Sequence, residues 1–339
     1  MNITLIGMDI AKHVFQLCGA NQAGKVIMRR RLSRDNLLMH LAQQSPCCIA
    51  MEACGSANYW AREIQKLGHE VKLISPQFVK PFVKGNKNDY RDAEAIVEAA
   101  SRPQMRFVTP KTIDQQDIQS LLRVREGHVT MRTKLVNQLR GLLAEYGYIV
   151  PQGLSALRER LPKLLDRQVE NELSPLMKAL LEQQYQLWQS LDQQITVCET
   201  QLKAIVKQDE RCQRLMEVEG IGTITAAAIV ALVGNGAGFK NGRHFSAYVG
   251  LVPRQHSSGN TQKLLGISKR GDEYVRRMLI HGARSVVIRA GKKTDQRSRW
   301  IQGLVAKVGM NRATVALANK NARIAMALLL HGEAYRRAA

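Results

Sequence analysis

Ile3-Thr4-Leu5-Ile6-Gly7-Met8-Asp9-Ile10 is the stretch whose reading decides the fold. A short apolar run closed by an acid predicts a buried strand that delivers Asp9 to the rim of a sheet. Val14-Phe15-Gln16-Leu17-Cys18 predicts a second strand, residues 20–24 a turn, and residues 25–32 a third strand. The chain therefore opens as an antiparallel meander. A helix is expected over 35–44. Cys47-Cys48-Ile49-Ala50-Met51-Glu52 predicts another buried strand, again ending in an acid. Ser56 stands where it can cap a helix running to Leu67. Val71-Lys72-Leu73-Ile74 predicts a further strand. Helices alternating with strands predict an α/β domain whose functional edge lies where the strands end.

Asp9 and Glu52 at one rim give meaning to Lys87-Asn88-Asp89-Tyr90-Arg91-Asp92-Ala93. The following residues, 94–100, are good helix formers with an apolar stripe. A helix beginning near Asn88 puts Asp89 and Asp92 at i and i+3, on one face. Two carboxylates one turn apart repel each other unless a cation or proton sits between them. Acids in a first helical turn also complement the dipole, so the pair alone is an ordinary surface feature. With Asp9 and Glu52 it becomes half of a four-acid cluster. Hard oxygen ligands of that kind suit Mg²⁺ or Mn²⁺, and two-metal phosphodiester chemistry uses such clusters.

The 339 residues suffice for two or three domains, and 45% hydrophobic residues is ordinary for a chain with real cores. Fifty Lys and Arg against 28 Asp and Glu give a net charge of +22, which favours a polyanionic partner, nucleic acid before an acidic membrane surface. The excess is uneven. From Lys240 onward there are 20 Lys and Arg and 4 Asp and Glu, so +16 of the total lies there. None of the six cysteines stands in a C-x-x-C pair, so zinc spacing is absent. Met1 leads straight into a strand-like run without a signal peptide, and no apolar run reaches membrane-spanning length. A cytoplasmic protein with no membrane partner is expected.

Residues 112–208 are rich in Gln, Leu, Glu and Arg. They predict a long helix over 113–146, a break at Pro151 and Gly153, and a second long helix from Leu176. Leu180, Leu187, Leu191, Ile195, Cys198, Leu202 and Ile205 follow a rough 3-4 spacing. That suggests a helical hairpin or coiled coil, with self-association as one use of it. Gly220-Ile221-Gly222, before an Ala-rich helix, resembles a helix-hairpin-helix turn. Its glycines would let backbone N–H groups approach a phosphate. Ser257-Ser258-Gly259 falls in a polar loop flanked by Arg254, His256, Lys263 and Lys269. A serine in such a cationic loop is a candidate nucleophile on phosphorus. Lys269, Arg270, Arg276 and Arg277 are candidate phosphate contacts. Residues 312–330 predict a core helix.

Gly7-Met8-Asp9, Met51-Glu52-Ala53, Asn88-Asp89-x-x-Asp92-Ala93, Gly220-Ile221-Gly222, Gly250-Leu251-x-Pro253, Ser258-Gly259 and Ser268-Lys269-Arg270-Gly271 stand in one order. That order resembles the DEDD transposases of the insertion sequence one-ten family, and most closely the eleven-eleven subgroup. The resemblance spans nearly the whole chain. It implies an RNase H-like, RuvC-like domain over 1–110, a helical coiled-coil region over 111–210 and a mainly helical transposase domain over 211–339. It also implies a metal-binding tetrad of Asp9, Glu52, Asp89 and Asp92. A serine matching Ser258, with Ser257 adjacent, would form a covalent phosphoserine link to DNA. The family's partners would be DNA, a structured noncoding guide RNA from its own element, and further copies of the chain as a dimer or tetramer.

The expected function is therefore site-specific DNA recombination by transesterification. A metal-dependent junction endonuclease using water, with Ser258 idle, is one alternative. A non-catalytic DNA-organising protein is another. A sugar-kinase-like ATPase shares the opening strand and aspartate, but the further phosphate loops it needs are missing, as is the Walker pattern.

Overall fold

The computed structural model describes residues 2–83, 89–166, 172–259 and 261–335. The chain divides into two compact units, Met1–Gln115 with Gly236–Lys240, and Gln116–Asn235 with Asn241–Ala339.

The first unit holds β1 (Leu5–Ile10), β2 (Val14–Ala20), β3 (Val26–Ser33), α1 (Leu37–Ala42), β4 (Cys48–Glu52), α2 (Ala57–Lys66), β5 (Glu70–Ile74), α3 (Pro76–Val79), α4 (Asp89–Ala100) and β6 (Phe107–Val108). The strands form one sheet in the order β3-β2-β1-β4-β5-β6. β1, β4 and β5 are parallel, and β2, β3 and β6 pair antiparallel to their neighbours. The meander, the two acid-ending strands and the helix from Asp89 are all present.

Period-2 alternation sorts the sheet into two faces. Ile6, Met8, Phe15, Leu17, Ile49, Met51, Val71 and Leu73 point to one face and pack with Leu37, Leu41, Trp60 and Ile64 of α1 and α2. Cys18, Ala20, Ala50 and Ile74 point to the other, where α4 covers them with Ala93, Ala95, Ile96, Val97 and Ala99. The small residues of α4 bring its backbone close to the strands. Gly7 makes the closest approach: a Cβ there would strike the Ala93 carbonyl and stand 2.7 Å from Val97 Cγ2. Ser56 does sit at the start of α2, but in the left-handed region at φ 66°, and its side chain makes no cap hydrogen bond. An N-cap oxygen reaches the first-turn N–H groups from extended backbone, so the expected cap is lost.

The second unit contains α5 (Ile113–Ala144), α6 (Leu154–Leu165), α7 (Pro175–Gln208), α8 (Glu210–Met216), α9 (Thr223–Val233), α10 (Gly242–Tyr248), β7 (Pro253–Ser258), β8 (Thr261–Ile267), α11 (Glu273–Ala290), α12 (Gln296–Val308) and α13 (Met310–His331). α5 and α7 form an antiparallel hairpin. Arg125 pairs with Glu199 at 2.6 Å and Arg132 with Asp192 at 2.8 Å, and Arg158 joins Asp192 at 2.7 Å. The buried seam of α7 is Leu181, Trp188, Leu191, Ile195, Cys198, Leu202 and Val206. The seam expected from leucine spacing is thus displaced by one residue at Leu180, Leu187 and Ile205. Trp188 carries the larger apolar surface and takes the inward position, which rotates Leu180 and Leu187 outward.

α9 is apolar all round, with Thr225 to Ala231 buried, and is a central helix of this unit. The region expected as a polar loop around Ser258 is instead a two-stranded hairpin of β7 and β8, its residues almost wholly exposed. No helix among the described residues is long and apolar enough to cross a membrane.

Candidate active site

Met8 of β1 and Met51 of β4 are partners in a parallel register. The next residues, Asp9 and Glu52, therefore lie side by side where the strands end. Both methionines are fully buried against α1 and α2, so alternation turns the two acids toward α4. Asp92 precedes Ala93, the residue that rests on Gly7. A missing Cβ on β1 thus lets α4 sit low enough to bring its acid to the strand ends.

The electrostatics record the convergence. Glu52 is pushed above the ordinary carboxylate range by burial first, then by the charges of Asp9 and Asp92. The Cys54 thiol, two residues on, is raised by burial and then by Glu52 and Asp9. Crowded carboxylates of this kind attract a cation or a proton. Among the described residues no three His, Cys, Asp or Glu side chains already close around a metal ion. Asp89 opens α4 one turn before Asp92, but its side chain lies outside the described residues, as do Lys87 and Asn88.

Gln16, which the sequence marked only as part of a strand, joins this rim. It pairs directly with Asp9 across β1 and β2. Phe15 and Leu17 face α1 and α2, so Gln16 shares the α4 face with Asp9. The residue is 5% exposed, and its carboxamide oxygen has no hydrogen-bond partner. A polar side chain in an otherwise apolar run, at even spacing from Cys18 and Ala20 on the face that α4 covers, is the signal that could have singled it out.

Ser258 lies in the second unit, the last residue of β7, paired with Thr261 at the hairpin end. Ser257 faces the opposite side, where its hydroxyl accepts a 3.0 Å hydrogen bond from Gln255 Nε2. The root of the hairpin is a tight backbone junction. Ser268 N donates to Val252 O and Lys269 N to Gly250 O. Gly250 (φ 77°) and Gly271 (φ 74°) are both left-handed, and a Cβ on either would strike backbone, of Arg270 and Tyr248 respectively. These two glycine motifs hold the hairpin in place.

Arg276, expected as a phosphate contact, is turned inward at 8% exposure. Its Nη1 donates to Val249 O at 3.1 Å and Arg270 O at 3.0 Å. The hairpin root leaves those carbonyls without strand partners, and a buried guanidinium satisfies them. Arg277 pairs with Glu126 at 2.6 Å and lies over the Tyr274 ring. Arg254, Lys269 and Arg270 are exposed.

Gly220 is a packing residue: with φ 92°, a Cβ there would stand 3.0 Å from the Gly282 carbonyl of α11. The Glu219 carbonyl accepts from Arg297 and from the fully buried Asn321. Gly222, at the start of α9, has open space where a Cβ would sit.

Residues 6–148 match the IS110 DEDD transposase family, and residues 212–299 match the transposase IS116/IS110/IS902 family. The chain is similar to a probable family 20 transposase of Pseudomonas aeruginosa, 51% identical over 340 residues and covering 99% of each chain. It is 49% identical to the transposase of insertion sequence element IS1111A from Coxiella burnetii, over 99% of this chain and 92% of that one. The transposase of element IS1328 from Yersinia enterocolitica is 43% identical over 98% of this chain and 99% of its own. Transposases bind, cut and rejoin DNA, and the DEDD family implies dependence on a divalent metal. The chain belongs to the IS110 family of insertion-sequence transposases.

Proposed function

We propose that this transposase exchanges DNA strands through a covalent phosphoserine at Ser258, with Asp9, Glu52, Asp89 and Asp92 as its metal-holding acids. The observation that carries the acid half is the convergence of Asp9 and Asp92 on Glu52. The donor set is all carboxylate oxygen, which suits Mg²⁺ or Mn²⁺. A bound ion of that class would supply charge stabilisation at the scissile phosphate. The chain's own residues do the rest. The acids fix where the phosphate is held, and Gln16 buries a polar oxygen beside Asp9. Ser258 presents its hydroxyl at the end of an exposed ribbon. Each transfer replaces one phosphoester with another, so no nucleotide needs to be hydrolysed.

The guide in this reading is a structured noncoding RNA from the element itself. The +16 segment from Lys240 onward supports two nucleic acids held together. Self-association is supported by the outward row on α7. Leu176, Leu180, Leu187 and Val197 are exposed at coiled-coil spacing.

A denaturing gel of the protein with DNA from the flanks of its gene, and RNA transcribed from them, tests the reading. A protein–DNA adduct is expected, lost in Ser258→Ala and in Asp9→Asn. Free cut ends with no adduct would instead favour a metal-dependent nuclease. An adduct that survives Ser258→Ala removes the serine assignment.

A further inference from the structure

We infer that His256 is the general base that takes the proton from Ser258 during attack on DNA, an assignment that rests on the phosphoserine reading above. The register of the hairpin carries it. Ser258 pairs with Thr261, Ser257 with Gln262, His256 with Lys263 and Gln255 with Leu264. Paired residues share a face of a two-stranded ribbon, and successive residues alternate. One face therefore carries Ser258, His256, Thr261 and Lys263. The other carries Ser257, Gln255, Gln262 and Leu264. The two serines are adjacent in sequence, but only Ser258 stands on the side with a base and a cation. Ser257 is held by Gln255 on the neutral side.

His256 is two residues from Ser258 on the same strand. Side chains at that spacing are neighbours on the strand surface, and imidazole is the side chain whose neutral form takes a proton near neutral pH. Both residues are exposed, so neither contributes to a core and DNA can reach both. The charged groups around the imidazole are Lys263 directly across the hairpin and Arg254 two residues earlier, at the bulge between Pro253 and Gln255. Both are cations that attract the phosphate.

Ser258 Oγ forms a bond to phosphorus as its proton passes to an imidazole nitrogen of His256. The P–O3′ bond breaks, and the 3′ oxygen leaves with the electron pair and takes a proton from solvent. In strand joining a 3′-hydroxyl gives its proton to solvent as its oxygen bonds to the phosphorus of the phosphoserine, the P–Oγ bond breaks, and the His256 imidazolium returns its proton to the departing Oγ.

Adduct formation by the full-length protein is measured against pH with the same flank-derived DNA and RNA, in wild type, His256→Gln, His256→Ala and Ser258→Ala. In His256→Gln the adduct rate at neutral pH is expected to fall about 10²-fold. The acid-side limb of the rate profile disappears, while DNA affinity is retained. Added imidazole partly restores His256→Ala and does nothing for Ser258→Ala. A wild-type profile in His256→Gln, or a rate loss matched by lost DNA affinity with no imidazole rescue, overturns the base assignment while Ser258 stands. An adduct in Ser258→Ala overturns the underlying serine reading instead.

Discussion

Gly7→Ala should damage both stability and DNA cutting through one contact. The added Cβ would meet the Ala93 carbonyl, stand 2.7 Å from Val97 Cγ2 and lie 2.9 Å from Val97 N. Ordinary carbon contacts sit at about 3.5–4.0 Å, so α4 must lift from β1 by about 1 Å. Neither neighbour gives easily. One is backbone within a helix, and the other is a β-branched side chain already packed on β2. Overpacking of this kind costs about 1–3 kcal/mol. For a domain of this size that lowers the melting temperature by roughly 4–12 °C, at about 4 °C per kcal/mol. The same lift carries Asp92 away from Asp9 and Glu52. A displacement of about 1 Å can cost about 10²-fold in rate. Thermal unfolding and cutting of flank-derived DNA, measured at a temperature where the variant is fully folded, separate the two effects. Gly55→Ala, with nothing near its added Cβ, serves as control and should sit within about 0.5 kcal/mol of wild type. If folded Gly7→Ala cuts DNA at the wild-type rate, α4 does not set the acid geometry.

Glu52 has a folded-state pKa raised by burial and by Asp9 and Asp92. A raised carboxyl binds its proton more tightly folded than unfolded, so its contribution to stability is present at acid pH and lost as pH rises through the folded value. Glu52→Gln without divalent metal should therefore melt higher than wild type at pH ~7, with the gap closing below pH ~4. A lower melting temperature at neutral pH would contradict this. Gln16→Leu should keep stability within about 1 kcal/mol, because the oxygen removed has no partner, and should slow DNA cutting. Unchanged cutting would remove Gln16 from the site. Arg276→Lys should destabilise the protein by about 1–3 kcal/mol through the lost carbonyl contacts and leave the salt dependence of DNA binding unchanged. Lys269→Ala and Arg270→Ala should each reduce that salt slope by about 1. The opposite pattern would return Arg276 to the DNA surface.

Local rules reach the first unit well. Apolar runs with acids at their ends mark β1 and β4, and the i, i+3 acids mark the start of α4. Period and strand-end position alone mark these acids as a candidate cluster. The same local rules are not enough for the second unit. Trp188 displaced the leucine seam of α7, because which stripe turns inward depends on what α5 and α6 offer it. Arg276 looked like one more cation in a basic helix. Only the carbonyls of Val249 and Arg270 decide that it faces inward. The exposed hairpin lacks the apolar alternation that betrays a half-buried strand, so it reads as a loop.

The sequence by itself determined that acids end two buried strands, that a third and fourth lie one helical turn apart, and that a large positive charge gathers behind them. Each follows from residue spacing along the chain, which holds however the domains pack. The tertiary structure alone decided which of those acids meet, through the missing Cβ of Gly7 and the parallel register of Met8 with Met51. It alone separated Ser258 from Ser257, because facing requires knowing that the segment is a strand and where its partners fall. Proximity and facing are properties of register and close packing, which link residues far apart in sequence and leave no local mark.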